Sequence, residues 1–452
     1  MDNSVYLPLI DRLNSVIDTH FNNQEYEEVL EDIRAIFPSL GIMTFKYFNK
    51  ALGSYEQVVK NKDLKIKYKD YSLSLSTPLM KKASNIVEAM LSKTGTKRCL
   101  LDDFSSIINE IFIDADVKDV YMSSFTLLID AMSDNNTFIS DDDFNEKPEH
   151  DHFLITSGYG WSGSGAVTDF LKEFNNVKII YGEVGIFESV RGFTYFVRNI
   201  NDRETLIRHS LEFFFIHFLG CYPMISLLML KTLSYANQVL LKSTDLLKYA
   251  NYVKKITCVL AAIIVECNHD FNSDRVSQLL KLLSQRLLDL VAIDIPNDTI
   301  PVIDNCIHTY NIDVINYINN TKLICCCRDP RSIYLSRIKE CSGFVRNSLD
   351  FVRNQKKVWE RINLSKSKLF PSSQNKLMFI NFEDFVLNDS FRKDLIKNLG
   401  LSLDMWDKKE KYFKPNESSV NVKNFINCDD DEIKKDIQFI ADELKEYCLD
   451  IE

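Results

Sequence analysis

The 452-residue chain contains no Cys-x-x-C pair and no grouping of cysteines with histidines at zinc-binding spacing. That removes the common structural-zinc and dithiol redox classes. Its 11 cysteines are odd in number and include Cys325, Cys326 and Cys327, three neighbours in an apolar run that no disulfide framework could use. Reduced thiols in a cytoplasmic protein are the simplest account. An excess of basic charge is also missing. Lys and Arg number 54 against 64 Asp and Glu, a net charge of −10, which argues against nucleic acid as a partner. The first 21 residues carry acids early and lack an apolar core, so they do not read as a secretory signal. Long apolar runs are scarce. Residues 213–230 span 18 positions, near the lower limit for a membrane-spanning helix, but His217, Gly220 and Pro223 interrupt them. A buried helix pair broken at Gly220 and Pro223 fits better; association with a membrane surface stays open. Glycine is sparse too, 13 in all, yet four fall within eight residues: Gly158, Gly160, Gly163 and Gly165.

That glycine cluster has a defined setting. Residues 153–156, Phe-Leu-Ile-Thr, read as a strand buried on both faces. Ser157, Ser162 and Ser164 are interleaved with the glycines, and beyond them Val167, Phe170, Leu171 and Phe174 fall at helical spacing. Strand, glycine loop and helix N-terminus together make an anion-binding arrangement, because the first N–H groups of a helix lack intrahelical partners. Gly158 and Gly163 have the spacing of a nucleoside-triphosphate loop, but Ser164 stands where its lysine belongs.

Around this loop the chain divides by pattern. Residues 1–132 read as mainly helical, with an apolar stripe at Leu7, Ile10, Leu13, Val16 and Ile17, another at Ile107, Ile108, Ile111 and Phe112, and an alternating stretch at 64–68 that suggests an isolated strand. Residues 133–152 are polar and acidic and read as a linker in which His150 and His152 are solvated. From 153 to 452 strands alternate with helices: strands are expected at 153–157, 177–181, 322–327 and 377–382, with a weak one at 300–305, and a helical insertion spans 189–295. The expected fold class is α/β, a P-loop-like parallel sheet flanked by helices, with that insertion and a mainly helical N-terminal region. The insertion suits a substrate-facing cap or an oligomer interface.

A second motif follows the cysteine run. In Arg328-Asp329-Pro330-Arg331-Ser332-Ile333-Tyr334-Leu335-Ser336, an arginine leaves a strand end, a proline suits a first helical turn, and a serine lies about two turns on. An arginine fork and a hydroxyl can grip a phosphate together. The pattern R-D-P-R-x-x-x-x-S resembles the 3′-phosphate motif of the sulfotransferases, and Ser162-Gly163-Ser164-Gly165 resembles the later part of their 5′-phosphosulfate loop, with Trp161 where that loop has Lys or Arg. Phe382-Glu383-Asp384-Phe385-Val386 resembles their strand-end Y-E-D-L-[IV], Asn398-Leu399-Gly400-Leu401 their F-L-G-L, and residues 418–425 their closing S-x-x-N-x-G-x-W, with Lys423 for the glycine.

The resemblance covers roughly residues 153–450 and implies a divergent bacterial-type member of the sulfotransferase family. It implies 3′-phosphoadenosine 5′-phosphosulfate as co-substrate, no metal, and a carbohydrate or glycolipid acceptor. Gly160, Trp161, Ser162, Gly163, Ser164 and Gly165 would then hold the 5′-phosphosulfate, and Arg328 and Ser336 the 3′-phosphate, with Lys423 closing over the nucleotide. Glu183, just past the second strand, is the candidate general base. Arg191 or Arg331 could replace the missing loop cation. Two alternatives stay open: a nucleotide-binding scaffold of the same fold with little or no activity, motivated by Trp161, and a divergent phosphate-binding kinase.

Overall fold

A computed structural model of the chain describes residues 78–112, 114–133, 138–180, 185–188, 191–219, 246–269, 271–340 and 347–449. The apolar stripe at 7–17, the alternating stretch at 64–68, Gly220, Pro223 and Glu183 lie outside the described residues. By contacts the chain forms two compact units, Met1–Lys147 with Val184–Ile293, and Pro148–Glu183 with Asp294–Glu452.

The second unit is built on one parallel sheet. Its strands are β1 (Phe153–Ser157), β2 (Val177–Ile180), β3 (Ile300–Asp304), β4 (Thr321–Cys327) and β5 (Leu377–Asn381). Their spatial order is β2-β3-β1-β4-β5, and every pairing is parallel. Helices on both faces explain the unbroken apolar runs: all five residues of β1 are buried, and so are Leu323 to Cys327 of β4. Pro301 is tolerated inside an internal strand for a local reason. The β1–β3 register begins only at Val302, so the missing N–H of Pro301 falls on a side where that ladder has not yet begun, while Ile300 N–H bonds Asn176 O towards β2.

The helix Ser164–Leu171 lays Val167, Phe170 and Leu171 on the sheet beside Phe174, each fully buried among Leu154, Ile324, Ile380 and Phe385. Within this apolar cluster sits Glu173, also fully buried. Its carboxylate accepts the Trp406 indole N–H at 2.8 Å and the Tyr412 and Phe413 N–H groups at 3.0 Å each. These bonds tie the chain beyond residue 405 onto the end of the first helix. On the other side, helices Pro330–Glu340, Ser348–Ser367 and Asp431–Glu443 share a core of Ile333, Tyr334, Phe351, Ile362 and Ile440.

The first unit is helical throughout its described residues. Helices Pro78–Leu91, Lys97–Ile111, Ala115–Ser133, Arg203–Phe213, Leu246–Asn268 and Ser273–Val291 pack around an aromatic centre in which Phe104 and Phe125 stack at 4.0 Å beside Phe214 and Phe215. The described part of the apolar stretch at 213–230 is thus core, and no helix among the described residues is long and apolar enough to cross a membrane. The acidic stretch is ordered where described. Helix Asp141–Phe144 carries Asp143 to the buried Arg286 at 2.6 Å, and Arg286 also donates to Lys255 O at 2.6 Å. The solvated reading of the histidines fails. In the second unit His150 is 1% exposed, packs edge-on against Phe153 and bonds Thr299 O, and His152 is half-buried. Their neighbours in sequence are acidic, but the adjoining strand draws them in.

Candidate functional site

The chain runs from β1 outward to β2, returns to β3 beside β1, and then passes to β4 on the other side of β1. Its direction therefore reverses between β1 and β4, and the carboxyl ends at such a point leave a crevice where ligands of open α/β sheets bind. Both sequence motifs emerge there. Ser157 pairs with Cys325, so the glycine loop leaves β1 next to where Arg328 leaves β4.

The loop folds back on itself. Gly160, Trp161 and Gly163 all take positive φ, 78°, 54° and 95°. Gly163 is the N-cap of the helix Ser164–Leu171. A Cβ on Gly163 would lie 2.2 Å from Phe382 Cδ2, and one on Gly158 would lie 2.5 Å from Ser162 Oγ and 2.7 Å from Ser164 Oγ. Gly163 is required by the rigid Phe382 ring, whereas the close atoms at Gly158 are serine hydroxyls that can turn aside. A side chain at 163 would collide with the first residue after β5. Ser162, 1% exposed, accepts the Tyr159 N–H with its hydroxyl at 3.3 Å. A Cβ on Gly165 would meet nothing within 4 Å.

The end of β3 fastens the loop. Asn305, at φ 49°, accepts the Gly158 N–H at 2.9 Å and donates to Ser164 Oγ at 3.4 Å. Next to it Asp304 Oδ1 accepts hydroxyls from Thr156 at 3.0 Å and Thr168 at 3.2 Å. Burial pushes the Asp304 carboxyl upward, against the downward pull of those two hydroxyls. A carboxylate with a raised affinity for protons therefore borders the glycine loop. The local sequence gives no sign of this carboxylate, because the strand that ends in it is interrupted by Pro301.

Arg328 binds the loop to the C-terminal segment. The residue is 6% exposed, and its guanidinium donates to Trp161 O at 3.1 Å and Asn421 O at 2.6 Å and lies 5.0 Å over the Phe382 ring. Ser336, two turns along helix Pro330–Glu340, accepts from Asn424 Nδ2 at 3.3 Å. Lys423 sits between those two contacts at φ 49°. A glycine would adopt that conformation without strain, which suits the position where the resembled pattern has one. One turn before Ser336, Ser332 Oγ is fully buried and has no hydrogen-bond partner. Asn424 Oδ1 and Glu383 Oε2 are likewise buried without one. Glu383 Oε1 accepts the Asp329 N–H at 3.2 Å, and burial raises its carboxyl above the usual range. The donors in this group, Ser332, Ser336 and Arg328, suit an anion; the acceptors Asn424 and Glu383 suit hydroxyl or amino groups.

The two arginines named as candidates to replace a loop cation make the following contacts. Arg331 forms a fork with Asp329 at 3.0 and 2.7 Å, donates to Leu449 O and stacks on Phe425 at 4.2 Å. Arg191 belongs to the first unit, 3.3 Å from Glu212. A third arginine does reach the loop: Arg337 donates to Tyr159 O at 3.3 Å and lies 5.1 Å over the Trp161 ring. Its position directly after Ser336 was visible in the sequence, but which way it points follows only from the packing of its helix. The cysteines of β4 are inert by burial, which raises Cys325 and Cys326 well above the ordinary thiol value and Cys327 to about 11.

No protein-family model matches the chain, and neither does any curated protein. Among solved structures, a crystal structure of sulfotransferase STF9 from Mycobacterium avium aligns at 7% identity with a TM-score of 0.32, covering 82% of this chain and 97% of that one. A likeness at that level adds no weight to a functional assignment.

Proposed function

We propose that the chain is a sulfotransferase that takes sulfuryl from 3′-phosphoadenosine 5′-phosphosulfate and passes it to a hydroxyl or amine of a carbohydrate or glycolipid. The observation that carries the reading is the meeting of two anion-binding motifs at the switch point, where Arg328 from the end of β4 touches Trp161 O in the loop after β1. A nucleotide with phosphates on both sides of one ribose needs two such sites within its own span. In this reading the N–H groups of residues 160–165, with Ser162 and Ser164, hold the 5′-phosphosulfate. Arg328 and Ser336 hold the 3′-phosphate, Ser332 adds a donor, and Lys423 closes from the C-terminal segment.

The acceptor oxygen or nitrogen forms a bond to sulfur while the bond from sulfur to the bridging oxygen breaks, and the electron pair stays on the bisphosphate product. The acceptor's proton passes to a carboxylate. Glu183 is one candidate. Asp304 is the other, with one oxygen fixed by two threonines and its proton affinity raised. A nucleotide-binding protein of the same fold without transferase activity is favoured by one feature, the indole of Trp161 where the resembled loop has a cation.

The test is thermal stabilisation by 3′-phosphoadenosine 5′-phosphate, adenosine 5′-phosphate and ATP. At a hundred times its Kd a ligand specific for the native state adds about 2.7 kcal/mol. The bisphosphate is expected to stabilise most, and Arg328→Ala to weaken it by about 1.5–3 kcal/mol. Equal stabilisation by nucleotides with and without the 3′-phosphate refutes the reading.

A further inference from the structure

We infer that Arg337 supplies, from a neighbouring helix, the positive charge that the glycine loop lacks in its own sequence. Residues 158–165 contain no Lys or Arg, and Trp161 occupies the position where a cation is expected. Yet the Arg337 guanidinium lies against that same residue, 5.1 Å over the indole, with Phe351 at 5.4 Å and Tyr159 O at 3.3 Å. Two aromatic rings and a carbonyl thus fix its orientation without neutralising it. Among the described side chains no carboxylate acts on Arg337, whose charge feels burial and the neighbouring Tyr159, and its Nε is buried with no hydrogen-bond partner. Arg331, on the same helix, is by contrast neutralised by Asp329. A half-buried charge without a counter-charge is unfavourable unless an anion meets it. Gly160 makes the approach open: a Cβ there would stand 3.2 Å from Arg337 Nη2, so its missing side chain leaves room beside the guanidinium.

The inference rests on the proposed sulfuryl transfer and specifies where its charge is met. As the sulfur–oxygen bond breaks, the bridging oxygen gains the negative charge, and the Arg337 N–H groups stabilise it without losing a proton. Trp161 then acts as the platform that holds Arg337, so the loop's missing cation and its unusual aromatic are one substitution.

The experiment compares the full-length protein with Arg337→Gln, Arg337→Lys, Trp161→Lys and the double variant Trp161→Lys/Arg337→Gln. Calorimetric titration uses three probes: the phosphosulfate donor, 3′-phosphoadenosine 5′-phosphate, and adenosine 3′-phosphate, which lacks the 5′ group. Circular dichroism and thermal unfolding report folding. Arg337→Gln is expected to weaken the two 5′-charged probes by about tenfold or more and adenosine 3′-phosphate by less than about threefold. Arg337→Lys should retain part of that affinity. The double variant should recover most of it by returning a cation to the loop. Unchanged binding of all probes by Arg337→Gln, or equal loss of all three, overturns the inference while leaving the sulfotransferase reading intact. If the unaltered protein binds none of the probes, both fall together.

Discussion

Gly163 offers the sharpest quantitative test of how the loop is held. Its φ of 95° is strained for any L-residue, and a Cβ there would stand 2.2 Å from Phe382 Cδ2 and 2.9 Å from Cε2 and Cγ. Gly163→Ala therefore meets two separate penalties. The backbone term is about 1–2 kcal/mol for a left-handed conformation with a Cβ, and the overpacking term about 1–3 kcal/mol. Together they predict a loss of about 2–5 kcal/mol. The two terms separate in a double-mutant cycle. Phe382→Ala removes the colliding ring and itself costs about 3–5 kcal/mol, but Gly163→Ala in that background should lose only the backbone term. A coupling energy of about 1–3 kcal/mol is expected from chemical denaturation of the four proteins. Phe382 also stacks beneath Arg328, so a repositioned ring should weaken bisphosphate binding even where the protein stays folded. If Gly163→Ala costs the same in both backgrounds, Phe382 is not what demands the glycine and the description of the loop is wrong.

Three further outcomes are expected. Glu173→Ala strands the Trp406 indole N–H and the Tyr412 and Phe413 N–H groups in a buried site; a loss of about 3 kcal/mol or more is expected in denaturant unfolding, and Glu173→Gln should recover part of it. His217 is fully buried beside Arg191 O, and burial lowers its pKa to about 4. Below pH 6.5 the unfolded chain binds the proton and the folded one does not, so stability falls as the pH drops from about 6.5 towards 4, by about 3 kcal/mol from this group. A His217→Gln variant should show a flatter dependence on pH across that window, and an unchanged slope refutes the assignment. Asp304→Asn should retain donor binding yet slow transfer at least about a hundredfold if Asp304 is the base; full activity in that variant with loss in Glu183→Gln assigns the proton to Glu183.

The sequence by itself determined the sheet and the loop's place in it. Strands buried on both faces must be nearly continuous apolar runs, so residues 153–157 and 322–327 announce themselves. The helix after the loop shows its buried stripe at 167, 170, 171 and 174 because helical periodicity is written locally. Arg328 and Ser336 could be named because strand end, turn and helix follow within nine residues. The β3 strand was faint because Pro301 breaks its pattern, and only the register with β1 shows why a proline is harmless there. Everything that depends on a distant partner had no local signal. Asp304 lies next to Thr168 across 136 positions, Gly163 is fixed by Phe382, and Glu173 by residues 406, 412 and 413. The histidines at 150 and 152 read as solvated because their neighbours are acidic, but burial is decided by the strand that follows and by Thr299. Arg337 is the clearest case. The local sequence says only that the loop lacks a cation; that one arrives from a helix about 180 residues on follows from the side-by-side exit of β1 and β4 at the switch point.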